Sequence, residues 1–210
     1  MLKVIDLEKR YKNNIVFQGV SIDFSNPNLY ILQGINGSGK STLIKVLSNI
    51  IYKSSGRIYR DINISYLPDK FSMPKLMKAK KYLKIILNMY GKNDLYDELI
   101  TKYQIPNKRI GELSKGNLCK VGLIQILYMD SDCYILDEPL DGLDDYAKRL
   151  LKEEIINLIN NKKIVILSLH NKNLFNDLKP EIYEIKEGFI KLKERKKKKD
   201  EKEIQDINAY

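Results

Sequence analysis

Residues 2–33 alternate short apolar runs with turn residues. "LKVIDLE", "QGVSIDF" and "LYILQ" read as strands, and Val20, Ile22 and Phe24 repeat with the two-residue period of a half-buried strand. Asn13-Asn14 and Asn26-Pro27-Asn28 supply the turns. The period then changes. Leu43, Val46, Leu47 and Ile50 are spaced for one face of a helix over 40–51, and strands "GRIYR" and "INISYL" follow. After Pro68, Leu76, Leu83, Ile86, Leu87 and Tyr90 predict a helix over 74–90 with Gly91 as its C-terminal cap, and a second helix over 94–103. A further helix begins near Ser114. "CYIL" and "KIVILSL" are continuous apolar runs of the kind buried on both faces of a parallel sheet, and 144–160 between them is helical. "EIYEIKEGFIKL" reads as a hairpin turning at Gly188, and no internal repeat is visible.

This pattern describes one α/β domain over 1–210, with an antiparallel β portion at its N-terminus and a helical insert at about 69–117. No apolar stretch approaches the roughly 18 residues of a membrane-spanning helix, and "MLKVIDLEKRYKNN" has no secretory apolar segment. The expected location is therefore the cytosol. Cys119 and Cys133 lack metal-ligand spacing and read as small buried apolar residues. Part of the net charge of +10 lies near the end, in "KLKERKKKKDEKE", which runs into a basic tail at about 193–210, and little order is expected from about Arg195 onward. Such a tail is either simply solvated or a weak hold on anionic lipid headgroups.

Four stretches carry chemistry. Gly34-x-x-x-x-Gly39-Lys40-Ser41 follows a strand and opens a helix, the context in which this pattern cradles phosphate. Its N–H groups and the helix N-terminus bind an anion, Lys40 reaches the β and γ phosphates, and Ser41 ligates Mg²⁺. In "CYILDEP" a hydrophobic strand ends in two carboxylates. Asp137 is placed to hold Mg²⁺ opposite Ser41, and Glu138 to orient or deprotonate an attacking water. In "ELSKGNLCK", Ser114 is a good helix N-cap and Gly116 frees the backbone, which makes a second anion-friendly helix tip. In "ILSLHN", His170 is the chain's only histidine. A lone histidine is more often structural, but this one ends a strand on the side of the sheet where ligands bind, and it reads as a γ-phosphate contact.

The order of these parts resembles the ATP-binding subunits of ABC transporters, over residues 1 to about 192. "GINGSGKST" is similar to the family's Walker A motif, which assigns nucleotide contacts to Asn36, Gly37, Ser38, Gly39, Lys40, Ser41 and Thr42. "YILDEP" is similar to Walker B with its catalytic glutamate, "LSKGN" to the signature LSGGQ, and "LDGLD", ending in Asp144, to the D-loop. His170 matches the switch histidine, and Tyr11 falls where the family has an aromatic that stacks on adenine. The resemblance implies a P-loop ABC ATPase fold with ATP and Mg²⁺ as cofactors. It implies a head-to-tail dimer, expected to be a homodimer, in which Ser114 and Gly116 of one subunit cap ATP held by the other. It also implies a separate transmembrane permease at the cytoplasmic face of the membrane, reached through a groove beside the helical insert.

The chain departs from the family pattern in two motifs. Lys115 and Asn117 stand where the signature usually has Gly and Gln, and lysine there also occurs in exporter-like relatives. Asp69, in "SYLPDKF", stands where the family carries a glutamine or glutamate that touches Mg²⁺ and links the site to the insert. The resulting expectation is export of a peptide, antimicrobial or drug, with no nucleic-acid partner. The alternative is a soluble ABC ATPase acting on nucleic acid or ribosomes.

Overall fold

The computed structural model describes residues 1–70, 72–170 and 173–193. In chain order these form β1 (Leu2–Tyr11), β2 (Asn14–Asp23), β3 (Leu29–Gln33), α1 (Lys40–Leu47), β4 (Ser55–Arg60), β5 (Ile64–Leu67), α2 (Ala79–Met89), α3 (Tyr96–Lys102), α4 (Lys115–Leu127), β6 (Cys133–Asp137), α5 (Asp145–Asn160), β7 (Ile164–Leu169), β8 (Glu181–Lys186) and β9 (Phe189–Leu192). The basic tail beyond Lys193 lies outside the described residues.

Two sheets result. β2, β1 and β4 make an antiparallel three-stranded sheet, and the other six strands run in the order β5-β6-β7-β3-β8-β9. The first five of those six are mutually parallel, with β9 antiparallel at the edge. Alternation along the parallel strands separates two cores. Tyr30, Leu32, Cys133, Ile135, Ile164 and Ile166 face α1 and the antiparallel sheet. Leu29, Ile31, Tyr134, Leu136, Val165 and Leu167 face the helical side, with residues of α2, α4 and α5. Each such side chain, fully withdrawn from water, contributes about 1.5–3 kcal/mol. Both cysteines are buried as expected, and burial pushes the Cys119 thiol up to about 12, which leaves it unreactive.

The pattern misplaces two helix boundaries. Leu76 is 84% exposed and lies before α2, not on its face. The segment from Lys75 to Ala79 is taken up by backbone bonds to a distant stretch. The Ile110 N–H donates to Met77 O, the Gly111 N–H to Lys75 O and the Ala79 N–H to Lys108 O. With Lys78 held extended by that pairing, the helix starts only at Ala79. At the other site, α1 stops at Leu47, because Asn49 turns left-handed and the Ile50 N–H folds back to Lys45 O. Ile50 is therefore exposed instead of continuing the helix face. Gly91 does cap α2, with φ of 66° and its N–H on Asn88 O.

The helices between β5 and β6 are tied to the rest of the protein by polar contacts as well as apolar ones. Tyr82 of α2 donates to Gln125 of α4 at 2.7 Å. Glu154 of α5 is buried, and its Oε1 accepts from Lys102 Nζ and from the Tyr128 hydroxyl, each at 2.7 Å. One carboxylate thus joins the ends of α3 and α4 to α5. Removing it strands a cation and a hydroxyl with little access to water. Glu154→Ala is expected to lower unfolding free energy by about 2–4 kcal/mol in urea denaturation, on the scale of a broken buried pair.

Candidate active site

The first turn of α1 and the loop before it depend on two glycines. Gly39 holds φ at 104°, which favours glycine, and a Cβ there would meet Val16 Cγ1 at 3.0 Å. A Cβ on Gly34 would meet Ile185 O at 2.7 Å and Ser38 Oγ at 2.5 Å. The loop therefore lies tightly against β8 and leads into the N-terminus of α1, an arrangement suited to wrapping an anion.

Parallel register brings the other groups to this loop. Leu32 of β3 and Asp137 of β6 both pair with Ser168 of β7. The C-terminal ends of the three strands, with the loop and His170, consequently meet on one edge. A cleft of about 440 Å³ opens there, lined by Val16, Asn36 to Thr42, Asp69, Lys115, Glu138, Asp141 and His170. That size suits a small-molecule ligand.

The charges in the cleft are mutually engaged. Lys40, 5% exposed, donates from Nζ to Gly34 O at 2.9 Å and Ile35 O at 3.2 Å, and lies 3.3 Å from Glu138 Oε1. His170 Nε2 lies 3.2 Å from the same Glu138 oxygen. Burial raises the pKa of Glu138, while Lys40 and His170 pull it back. A carboxylate so placed is a better proton acceptor than one in water. Ser41 donates to Asp137 Oδ1 at 3.1 Å. A hydroxyl and a carboxylate oxygen side by side suit Mg²⁺, a hard cation that prefers oxygen and completes its shell with phosphates and water. Among the described residues no cluster of three acidic, His or Cys groups forms an all-protein metal cage. The donor set therefore fits Mg²⁺ carried in with a phosphate ligand, held by Ser41 and Asp137.

Other sequence-predicted residues stand outside this cleft. Ser114 caps α4, accepting the Asn117 N–H at 3.3 Å. Gly116 packs so closely on the loop after β6 that a Cβ would meet Gly142 O at 2.2 Å. Asp144 caps α5 through the Ala147 N–H at 2.7 Å and pairs with the buried Lys120 at 2.8 Å, which lowers its pKa. Tyr11, half exposed, closes β1 near the hairpin turn, with Lys9 Nζ 4.5 Å from its ring centroid. None of these four lines the cleft.

Asp69 does line it, and so does Lys115, one residue from each of the two motifs that depart from the family pattern. Lys115 Nζ lies 3.1 Å from Asp141 and 3.7 Å from Asp69. The hydrogen bond to Asp141 raises the Lys115 pKa, with help from Asp69. The two unusual residues are thus neighbours of opposite charge. Sequence reasoning missed Asp141, Val16 and Ser168. Ser168 alone left a signal, a hydroxyl within the otherwise apolar run "IVILSL".

Comparison with known proteins identifies relatives of the whole fold. Residues 17–141 match the family model described as ABC transporter. An ABC transporter ATP-binding protein of Methanocaldococcus jannaschii is 32% identical over 195 residues, covering 89% of this chain and 74% of its own. The cytochrome c biogenesis ATP-binding export protein of Reclinomonas americana is 30% identical over 75% of this chain and 79% of its own. A zinc import ATP-binding protein of Rickettsia bellii is 28% identical over 83% and 77%. Among solved structures, a dimeric ATP-binding cassette bound to ADP and phosphate superposes with a TM-score of 0.79 over 90% of this chain and 96% of its own, at 18% identity.

Because the loop touches β8 at Gly34, Gly34→Ala must displace either the loop or Ile185. The variant is expected to bind a fluorescent ATP analogue at least about tenfold more weakly, the scale on which a small misplacement of binding groups acts. Circular dichroism should still report the folded α/β signal.

Proposed function

The chain belongs to the ABC transporter family, as one of its ATP-binding and ATP-hydrolysing subunits, and from that premise we propose that it works in pairs to power a separate membrane-spanning partner. The observation that carries this reading is the convergence of Lys40, Ser41, Glu138 and His170 on one cleft, with Asp137 bonded to Ser41.

Each residue has a chemical task there. The N–H groups from Asn36 to Thr42 cradle the phosphates, and Lys40 exchanges its carbonyl and Glu138 partners for phosphate oxygens. Ser41 and Asp137 hold Mg²⁺, which supplies positive charge to the phosphate oxygens. Glu138 accepts a proton from the attacking water, help worth about 10²–10⁴ in rate. His170 keeps Glu138 aimed and contacts the γ-phosphate. Tyr11 is assigned to adenine, with its exposed ring as the stacking surface.

Pairing is supported by the residues left outside the cleft. Ser114, Gly116 and Asp144 do not line the cleft of this subunit's own phosphate loop, although their neighbours Lys115 and Asp141 do. In a head-to-tail dimer, expected to be a homodimer, they serve the partner's ATP. Membrane coupling is supported by the family and by the helical segment at about 69–117, which we assign as the docking subdomain at the cytoplasmic face of the membrane. Among the described residues no helix is long and apolar enough to cross a membrane. The direction we propose is export, of a peptide, antimicrobial or drug, on the lysine in the signature. The relatives include both an export and an import protein.

Two experiments test this. Glu138→Gln keeps the binding groups and removes the base, so turnover is expected to fall by at least about 10²-fold while ATP binding survives. Tagged in its native cell and solubilised with ATP and Mg²⁺, the variant should co-purify with a multi-span membrane protein. Recovery with ribosomes or nucleic acid alone would overturn the transporter reading. Asp69→Gln restores the family's usual residue and removes one of the two carboxylates beside Lys115. It is expected to change partner-stimulated turnover and leave ATP affinity within about twofold; a change in affinity alone would contradict this.

A further inference from the structure

Ser168 sits in the middle of the parallel sheet, and the roles above make no use of it. All six residues of β7 are buried, and Ser168, fully enclosed, is their one polar side chain. A hydroxyl in such a place is costly unless both its proton and its lone pairs are used. Here both are. The Oγ–H donates to Asp137 Oδ1 at 2.5 Å, and Oγ accepts the Glu138 N–H at 2.9 Å. The first distance is that of a charge-assisted bond.

The second bond accompanies an irregularity in the backbone. Along β6, Cys133 and Ile135 face the α1 side, where Asp137 meets Ser41 and Ser168. Simple alternation would send the next side chain to the opposite face. Glu138 instead adopts a φ of 51°, a conformation uncommon for a non-glycine residue. That turn brings its carboxylate back to the same cleft, beside Lys40 and His170. It also takes the Glu138 N–H out of the strand ladder, and Ser168 Oγ receives it. We infer that Ser168 is a positioning residue that holds the metal-side carboxylate of Asp137 and the turned backbone of Glu138 in one arrangement. It does so from β7, so its hold on Asp137 does not depend on the P-loop, whose Ser41 contacts the same oxygen.

This inference rests on the ATPase reading of the cleft. Its test is Ser168→Ala. Outer-shell partners of this kind change metal affinity or activity by about 10–100-fold when removed. The variant is expected to lose about 10–100-fold in kcat and to bind Mg·ATP more weakly. Affinity for metal-free ATP, measured in chelator with a fluorescent analogue, should stay within about twofold. Amide exchange at Glu138 should accelerate by about tenfold or more, a readout independent of turnover. A kcat within about threefold of the unmodified protein, or unchanged exchange at Glu138, would overturn the assignment. So would equal loss of metal-free and Mg·ATP binding, because the defect would then be general misfolding. Absence of ATP hydrolysis in the unmodified protein would count against the ATPase reading, and the exchange measurement would still decide the role of Ser168.

Discussion

In-register parallel pairing of β3, β7 and β6 is the constraint from which the cleft follows. With Leu32, Ser168 and Asp137 abreast, the loop after β3, the turn after β6 and the histidine after β7 all leave the sheet at one edge. A slip of one residue in either pairing would turn Asp137 or Ser168 to the opposite face, away from Ser41. The apolar alternation that builds the two cores therefore also positions the polar groups at the strand ends. Cys133, Ile135, Ile164 and Ile166 hold the strands against α1, and Asp137 and Ser168 continue the same two rows as their polar ends.

Both lysines of the cleft are paired with carboxylates. Lys40 is neutralised by Glu138 and by two carbonyls, and Glu138 is shared between Lys40 and His170. Lys115 is similarly held by Asp141 and Asp69 on the cleft wall. A nucleotide must therefore exchange existing contacts for its own. In the proposed mechanism phosphate takes the place of Glu138 beside Lys40, and that exchange frees the carboxylate as the nucleotide arrives. The Lys115 cluster links the segment after β5, the start of α4 and the loop after β6. The two departures from the family pattern read more simply as a complementary pair than as independent losses.

Much of this was legible from the chain itself. The P-loop, "ILDEP" and His170 announce themselves because each combines a strand pattern with residues that have no packing role there. The α/β class and the β8–β9 hairpin at Gly188 follow from period and turn chemistry. What escaped depended on partners distant in sequence. Leu76 fits the α2 spacing, yet pairing with 108–111 holds its segment out of the helix. Ile50 fits α1, but Asn49 takes the left-handed turn that ends it. Lys115 and Asp69 each looked like an isolated substitution until the fold put them 3.7 Å apart. Ser168 looked like an incidental serine in an apolar run, because its two bonds exist only once β6 lies beside β7.

The central claim is that one subunit supplies only half of a working site. The loop, Glu138 and His170 line one cleft, with Asp137 bonded to its Ser41, whereas Ser114 and Gly116 do not line it. The most direct test is the steady-state ATPase rate per subunit, measured over a wide range of protein concentration. The account predicts a specific rate that rises with concentration until the dimer saturates. A specific rate that is substantial and constant down to concentrations where the protein is monomeric would contradict it.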